Sequence, residues 1–193
     1  MTPQQFKQLW ESKLQNLSAL EPEILGALSL NPTTVRYLTV AGLPADAAPY
    51  LSFVQHSAEP FESIGLLTQY YDFLEPEFNR YVYIGFCSDG DVIAIDTLQD
   101  DEIVRLDHED DFTASFFNSS MACLLECLLV YRDFVSTVLE ENGENAFLDT
   151  NFNDKQFETL KNGLNYADNG LFEKESFWKS ELEMLLAMRQ SSR

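Results

Sequence analysis

Carboxylates are the side chains of this sequence with the most capacity for chemistry, because they are abundant and the other candidates are few. The chain has 32 Asp and Glu against 12 Lys and Arg, a formal net charge of −20, two His and three Cys. Carboxylates serve as metal ligands, as general acids and bases, or as a charged binding surface. The sequence pattern around them discriminates between these uses.

The densest acidic stretch is 81–111, which has ten acidic residues and a single base, Arg105. The ten are Asp89, Asp91, Asp96, Asp100, Asp101, Glu102, Asp107, Glu109, Asp110 and Asp111. Such a concentration can serve solubility alone. It can also attract a basic protein, because opposite fields accelerate encounter and reject wrong partners. We predict that these ten residues take part in binding a partner.

Two acidic stretches have the composition of a cation site. Residues 107–111 are five consecutive polar side chains in a loop, and such a run rarely converges on one ion. Residues 149–154 begin like a calcium loop, with oxygens at the first, third and fifth positions. The sixth position is Asp154 where Gly is needed, and the twelfth is Leu160 where a bidentate Glu is needed. We predict a polar turn and helix cap there, and no specific metal site.

Nucleophilic catalysis has little support in this sequence. A Ser nucleophile needs a base held by an acid, and neither His56 nor His108 has a recognisable setting. No glycine loop for phosphates is present, and a glycosidase-type carboxylate pair is defined by separation in space. We therefore predict no catalytic residue and no cofactor. An enzyme with a carboxylate site stays as an alternative.

The cysteines and the apolar segments bear on the compartment. Cys87, Cys123 and Cys127 lie in apolar surroundings with no CxxC spacing, which predicts reduced, buried thiols in a cytoplasm. No signal peptide is visible, and no apolar stretch approaches a membrane span. The net charge disfavours direct contact with nucleic acid and with anionic membranes.

An antiparallel meander should position most of the acidic residues. Residues 81–87 are an almost continuous apolar run, 92–95 form a returning strand, and 102–106 form a third. Asp89-Gly90 is typical of a tight turn. Because strand direction alternates, the turn at 89–91 and the loop at 107–111 should lie at one end of the sheet, with their acidic side chains exposed. Residues 96–102 should lie at the other end.

Helices should flank this meander. Thr2 and Asn31 begin two helices, the second of which ends at Gly42 before Leu43-Pro44. A long helix follows the caps at 118–120, a short one should end at Gly163, and a final helix contains Trp178. Trp10 and Trp178 lie on apolar helical faces and should be buried. The predicted fold class is α+β, an antiparallel meander flanked by N-terminal and C-terminal helices.

The order of several short motifs resembles the SUKH superfamily. They are Val35-Arg36-Tyr37-Leu38 through Gly42-Leu43-Pro44, the hairpin Tyr83-Ile84-Gly85 to Val92-Ile93-Ala94-Ile95-Asp96, the strand Ile103-Val104-Arg105-Leu106, and Phe117-Asn118-Ser119-Ser120 before a Leu-rich helix. Each motif alone is weak, and their order and spacing carry the resemblance. It covers 35–134 and extends through the Phe177-Trp178 helix.

This resemblance implies an α+β fold and a binding function without catalytic residues. Many bacterial members are immunity proteins that neutralise toxins of contact-dependent or polymorphic systems, often nucleases or deaminases. By this resemblance the partner is a toxin domain, and the acidity of the chain predicts that this domain is basic. The alternative is a regulatory or scaffolding module with the same fold. We expect one domain over 1–193, with a core at about 31–140 and a C-terminal helical extension, 141–193, packed on it.

Overall fold

Six α-helices and nine strands are found in the computed structural model, which describes residues 1–14, 16–57 and 61–191. In chain order they are α1 (Pro3–Glu11), β1 (Leu17–Ser18), α2 (Pro22–Leu25), α3 (Pro32–Val40), β2 (Leu43–Pro44), β3 (Asp46–Ala47), β4 (Leu51–Phe53), β5 (Gly65–Leu66), β6 (Tyr81–Cys87), β7 (Val92–Asp96), β8 (Glu102–Asp107), β9 (Thr113–Asn118), α4 (Met121–Asn142), α5 (Asp154–Ala167) and α6 (Phe177–Ser191). Two 3-10 helices, Leu67–Gln69 and Pro76–Arg80, precede β6.

The main sheet is antiparallel and has the strand order β3-β4-β6-β7-β8-β9, with β5 also pairing with β6. A separate two-stranded sheet joins β1 to β2. The predicted meander is present and has a fourth strand, β9, which the sequence pattern did not predict. The reason is that Thr113, Ala114 and Ser115 are all exposed, so half of β9 lacks apolar alternation. The α+β fold class is confirmed.

The centre of the sheet is covered on both faces, since all five residues of β7 are buried. On one face Phe117 of β9 stacks on Phe177 of α6 at a centroid distance of 4.2 Å. Trp178 then contacts Tyr131 of α4 at 5.8 Å. Elsewhere Tyr83 of β6 packs on Tyr70 at 4.9 Å, within a layer of aromatic residues that precedes β6.

The predicted helix starts are confirmed, and two of them have side-chain caps, whereas the Asn31 side chain makes no cap hydrogen bond to α3. Thr2 and Gln5 form a reciprocal capping box at α1, and the Ser120 side chain accepts from the Cys123 amide at α4. The predicted end at Gly163 is wrong, because α5 continues to Ala167. A Cβ at Gly163 would lie 2.7 Å from a methyl of Val130. This glycine therefore allows α5 to approach α4 closely and does not terminate the helix.

The C-terminal helices are joined to the sheet by a buried polar network. Trp178 Nε1 donates to Asn118 Oδ1 at 3.0 Å, and Asn118 Nδ2 donates to Asp168 at 2.9 Å. The Ser119 amide and hydroxyl donate to the same carboxylate at 2.9 and 2.6 Å. The side chains of Trp10 and Trp178 are fully buried, as predicted. One hydrophobic core extends from Phe6 to Leu185.

Candidate functional site at the acidic end of the sheet

Two loops meet at one end of the meander, as strand alternation predicts. The β6–β7 turn is closed by a hydrogen bond from the Gly90 amide to the Cys87 carbonyl at 3.0 Å, and Gly90 has a φ of +94°. The His108 ring of the β8–β9 loop lies beside this glycine, 3.2 Å from the position of a Cβ. We call Asp89, Asp91, Asp107, Glu109, Asp110 and Asp111 together the acidic end.

Arg105 and His108 link the two loops through Asp91. Arg105 Nε donates to Asp91 Oδ2 at 2.6 Å, and its Nη2 donates to Asp89 at 2.9 Å. The His108 amide donates to Asp91 Oδ1 at 3.1 Å, and the ring Nδ1 lies 2.8 Å from the same oxygen. The β6–β7 turn is therefore held against the β8–β9 loop by one carboxylate.

The protonation states in this network are mutually dependent. Burial alone would raise the pKa of Asp91, but hydrogen bonds from His108 and Arg105 outweigh burial and hold this pKa below its usual value. The hydrogen bond to Asp91 in turn raises the pKa of His108. Asp91 is therefore an internal anion of the fold. The prediction that Asp91 is exposed is wrong, since its relative exposure is 3%.

Asp89 is exposed beside Arg105, and the residues after β8 contribute further acidic side chains that remain accessible. The Asp107 carboxylate accepts from the amides of Glu109 and Asp110 at 2.9 and 3.2 Å, which fixes the start of the loop. Glu109, Asp110 and Asp111 are exposed. Within the described ranges, neither these three side chains nor Asp107 form an ion pair with a basic residue. The acidic end thus combines a fixed backbone with uncompensated negative charge.

The four other predicted site residues lie at the far end of the sheet, which we call the opposite end. Asp96 accepts from Arg80 at 2.8 and 2.6 Å, and Asp101 accepts from the Asn31 amide at 2.7 Å. Asp100 accepts from Asn31 Nδ2 at 2.9 Å, and Glu102 pairs with Lys174 at 3.4 Å. The opposite end uses its carboxylates to connect elements of the fold.

Two of these four residues are not surface residues at all. The relative exposures of Asp96 and Asp101 are 3% and 2%. Sequence reasoning placed them on a binding surface because it considered only the number of charges. It could not show that Arg80 and Asn31 are their hydrogen-bond partners. In this conformation their carboxylates make internal hydrogen bonds and are not available to a partner.

A cation could be held, on distance alone, by Asp91, Asp107 and His108, whose ligand atoms lie within 4.8 Å of one another. Asp91 already accepts from Arg105 and His108, so a metal ion would compete with a guanidinium for the same oxygens. We therefore assign no metal to these residues. At the other suspected loop the Asn153 side chain caps α5 by accepting from the Gln156 amide at 2.9 Å, as predicted.

The described nucleophiles are poorly suited to catalysis. All three cysteines are free thiols; Cys87 and Cys127 are buried and Cys123 is partly buried. Burial raises the pKa of Cys87 to about 12, so this thiol is protonated at neutral pH. His56 lies 3.8 Å from Glu21, and His108 is bound to Asp91. Among the described residues, neither imidazole forms a hydrogen bond with a hydroxyl or a thiol.

Sequence reasoning missed the aromatic residues beside the acidic end. Phe112 ends the β8–β9 loop and packs on Tyr71 at a centroid distance of 4.8 Å, and Phe73 lies 6.2 Å from Phe112. The available signal was the alternation of aromatic and acidic residues over 70–78, whose secondary structure the pattern did not define. The aromatic layer thus reaches the acidic loop.

Among the described residues, no helix combines the length and apolarity that crossing a membrane requires.

Comparison with known proteins identifies the family. No curated protein and no solved structure gives a significant match to the chain. The family model described as SUKH-4 immunity protein matches residues 2–184. This span is almost the whole sequence and includes every element from α1 to the first half of α6, so the chain belongs to the SUKH-4 immunity protein family.

Proposed function

We propose that this protein neutralises a toxin by binding to it, and that the toxin domain is basic and of the nuclease or deaminase type. Membership of the SUKH-4 immunity protein family is the observation that carries the proposal. The toxin would belong to a contact-dependent or polymorphic toxin system. Inhibition by binding requires a surface, and the acidic end is the surface that we assign to it.

The charge of the acidic end supports a basic partner. Six carboxylates lie there with one arginine and one histidine, and in the described part of the chain Asp107, Glu109, Asp110 and Asp111 form no ion pair. A nuclease or deaminase must attract a nucleic acid, so its cleft carries positive potential. An acidic protein can occupy that field and exclude the substrate.

We also propose that the protein acts without catalysis, in the cytoplasm, and as one domain over 1–193. The protonated thiols and the occupied imidazoles support a non-catalytic function. The shared hydrophobic core and the polar network around Asp168 support packing of residues 141–193 on the sheet. The limits of the core at about 31 and 140 remain a prediction.

The test is protection against the toxin domain encoded by the neighbouring gene. Cells that express this toxin domain alone should lose viability, and co-expression of the chain should restore growth. The two purified proteins should form a stable complex in isothermal titration calorimetry. A toxin domain of a different system is the control and should be neither bound nor neutralised.

A negative result has a defined meaning. If the chain neither protects cells nor binds the neighbouring gene product, the immunity proposal is wrong and a regulatory or scaffolding function is favoured. If the chain binds a toxin domain with no net positive surface, the immunity proposal stands and the proposal of a basic partner is wrong. The two parts of the proposal can therefore fail separately.

A further inference from the structure

Phe73 is a large apolar side chain that remains 69% exposed beside the acidic end. Its ring lies 6.0 Å from Tyr71 and 6.2 Å from Phe112. Tyr71 also contacts Phe61, which is itself exposed, at 5.7 Å. We call Phe61, Tyr71 and Phe73 the aromatic patch. Single exposed apolar side chains are common on protein surfaces, but here Tyr71 contacts both exposed phenylalanine rings and joins them into one apolar surface.

The base of the aromatic patch is buried and tied to the acidic loop. Phe112 is only 5% exposed and packs on Tyr71 and on Phe78. It follows Asp111 directly, and φ is 48° at Asp111 and 56° at Phe112. This left-handed pair turns the backbone so that the Asp111 side chain is exposed while the Phe112 ring is buried. The acidic loop and the aromatic patch therefore form one surface.

The residues around the aromatic patch are acidic in both contributing segments. Residues 61–79 and residues 106–114 each include four acidic side chains and no Lys or Arg. Asp72 and Glu75 flank Phe73 in sequence and are exposed. An apolar centre with a charged rim is typical of a protein interface, in which a buried aromatic residue supplies affinity and the rim supplies orientation.

The charge of this rim also restricts what can cover the patch. A second copy of the chain would bring the same carboxylates into opposition, which disfavours self-association. An anionic lipid surface would be repelled for the same reason. A protein with an apolar pocket surrounded by Lys and Arg has the complementary chemistry.

We infer that Phe73 is the apolar anchor of the partner interface and inserts into a pocket bordered by basic residues on that partner. The inference rests on the proposed function, because the partner is the toxin domain. It assigns different tasks to the two parts of the surface. The carboxylates of the acidic end accelerate encounter, whereas Phe73 slows dissociation by removing apolar area from water.

The experiment compares Phe73→Ala with the control Tyr166→Ala in binding kinetics with the purified toxin domain encoded next to this gene. Tyr166 is the matched control because it is an 89% exposed aromatic residue on α5, outside the aromatic patch. We expect Phe73→Ala to raise the dissociation rate at least tenfold and to leave the association rate within about twofold. Tyr166→Ala should change neither rate by more than about twofold, and Phe73→Leu should be intermediate.

Folding and self-association are measured in parallel. The urea unfolding midpoint of Phe73→Ala should equal that of the wild type, because the side chain is mostly in water. Wild-type binding with equal dissociation rates for the two alanine variants would overturn the inference and leave the immunity proposal intact. No binding by the wild type would overturn both. A concentration-dependent dimer in analytical ultracentrifugation that Phe73→Ala abolishes would also overturn it, because the patch would then pair two copies of this chain.

Discussion

The two ends of the meander are both acidic in sequence, yet they use their carboxylates differently. At the opposite end, Asp96, Asp100, Asp101 and Glu102 each bind a partner within the protein. At the acidic end, one buried residue, Asp91, holds two loops together, and Glu109, Asp110 and Asp111 remain exposed to solvent. Charge density in a sequence therefore does not distinguish a structural carboxylate from an accessible one. The hydrogen-bond and ion-pair partners that the fold brings to each carboxylate make this distinction.

The largest expected effect concerns neither end but the structure that supports both. Trp178→Ala should lower the free energy of unfolding by about 3–5 kcal/mol, because it removes a fully buried indole and leaves Asn118 without a donor. Urea denaturation measures this. A loss below about 1 kcal/mol would mean that α6 is peripheral to the fold.

The buried carboxylates at the two ends should contribute similarly to stability. Asp96→Asn and Asp91→Asn should each cost about 1.5–3 kcal/mol, because each substitution weakens an ion pair with a buried carboxylate. Arg80 and Arg105 are partly exposed and regain some hydration, so the cost should stay below that of a fully buried pair. Asp91 should thus behave like Asp96 although the two lie at different ends. Chemical denaturation at pH 7 of both variants gives the answer, and a negligible cost for Asp91→Asn would remove its structural assignment.

Glu181 is a third type of carboxyl group, because it is buried and has no basic partner among the described residues. It is buried, contacts the Tyr131 hydroxyl, and its pKa is raised from 4.5 chiefly by burial. The folded state then binds this proton more tightly than the unfolded state does. The free energy of unfolding should fall as the pH rises from about 4.5 through the raised pKa.

The matched substitution is Glu181→Gln, which cannot ionise. The stability difference between Glu181→Gln and the wild type should move in favour of the variant as the pH rises across that interval. Unfolding experiments at several pH values between about 4 and 8 test this. Parallel pH profiles for the two proteins would show that the Glu181 carboxyl group does not contribute.

The smallest effect on stability is expected at the exposed part of the acidic end. Changing Asp107, Asp110 and Asp111 together to Asn should alter the free energy of unfolding by at most about 0.5 kcal/mol, or raise it slightly by relieving repulsion. The Asp107→Asn substitution keeps a side-chain oxygen that can still accept from the two loop amides that Asp107 binds. Thermal and urea unfolding give the measurement, and a loss as large as that for Asp96→Asn would show that both ends are structural.

The arrangement of the strands was largely predictable, because it depends on local patterns. The apolar run at 81–87, the Asp89-Gly90 turn and the alternation of strand direction place the two acidic loops together. Strand β9 was not predictable in this way, because its first half is polar and exposed and only pairing with β8 defines it. Gly163 shows the same limit, since its close contact with Val130 comes from tertiary packing.

The candidate site was predictable in position and not in composition. Asp91 and Asp96 are buried because Arg105 and Arg80 reach them across the sheet, and nothing in the spacing of these residues shows that contact. Phe73 was not recognised because exposure is a property of the fold. Sequence indicates which charges are near one another, whereas the structure shows which of them are already bound.

We propose that the unpaired carboxylates of the acidic end steer a basic toxin domain, and association kinetics test this proposal most directly. The Asp107, Asp110 and Asp111 to Asn variant is compared with a control in which Glu140, Glu144 and Glu158 are changed to Gln. The control removes the same charge from exposed positions on α4, α5 and the segment between them. Stopped-flow association with the toxin domain encoded by the neighbouring gene is measured at about 50 and 200 mM salt, since screening weakens with decreasing ionic strength.

We predict that the Asn variant associates several-fold more slowly at the lower salt concentration and loses most of its salt dependence, whereas the Gln control keeps a rate close to that of the wild type. Equal association rates and salt dependences for the two variants would contradict the account and reduce the acidic end to a contribution to solubility.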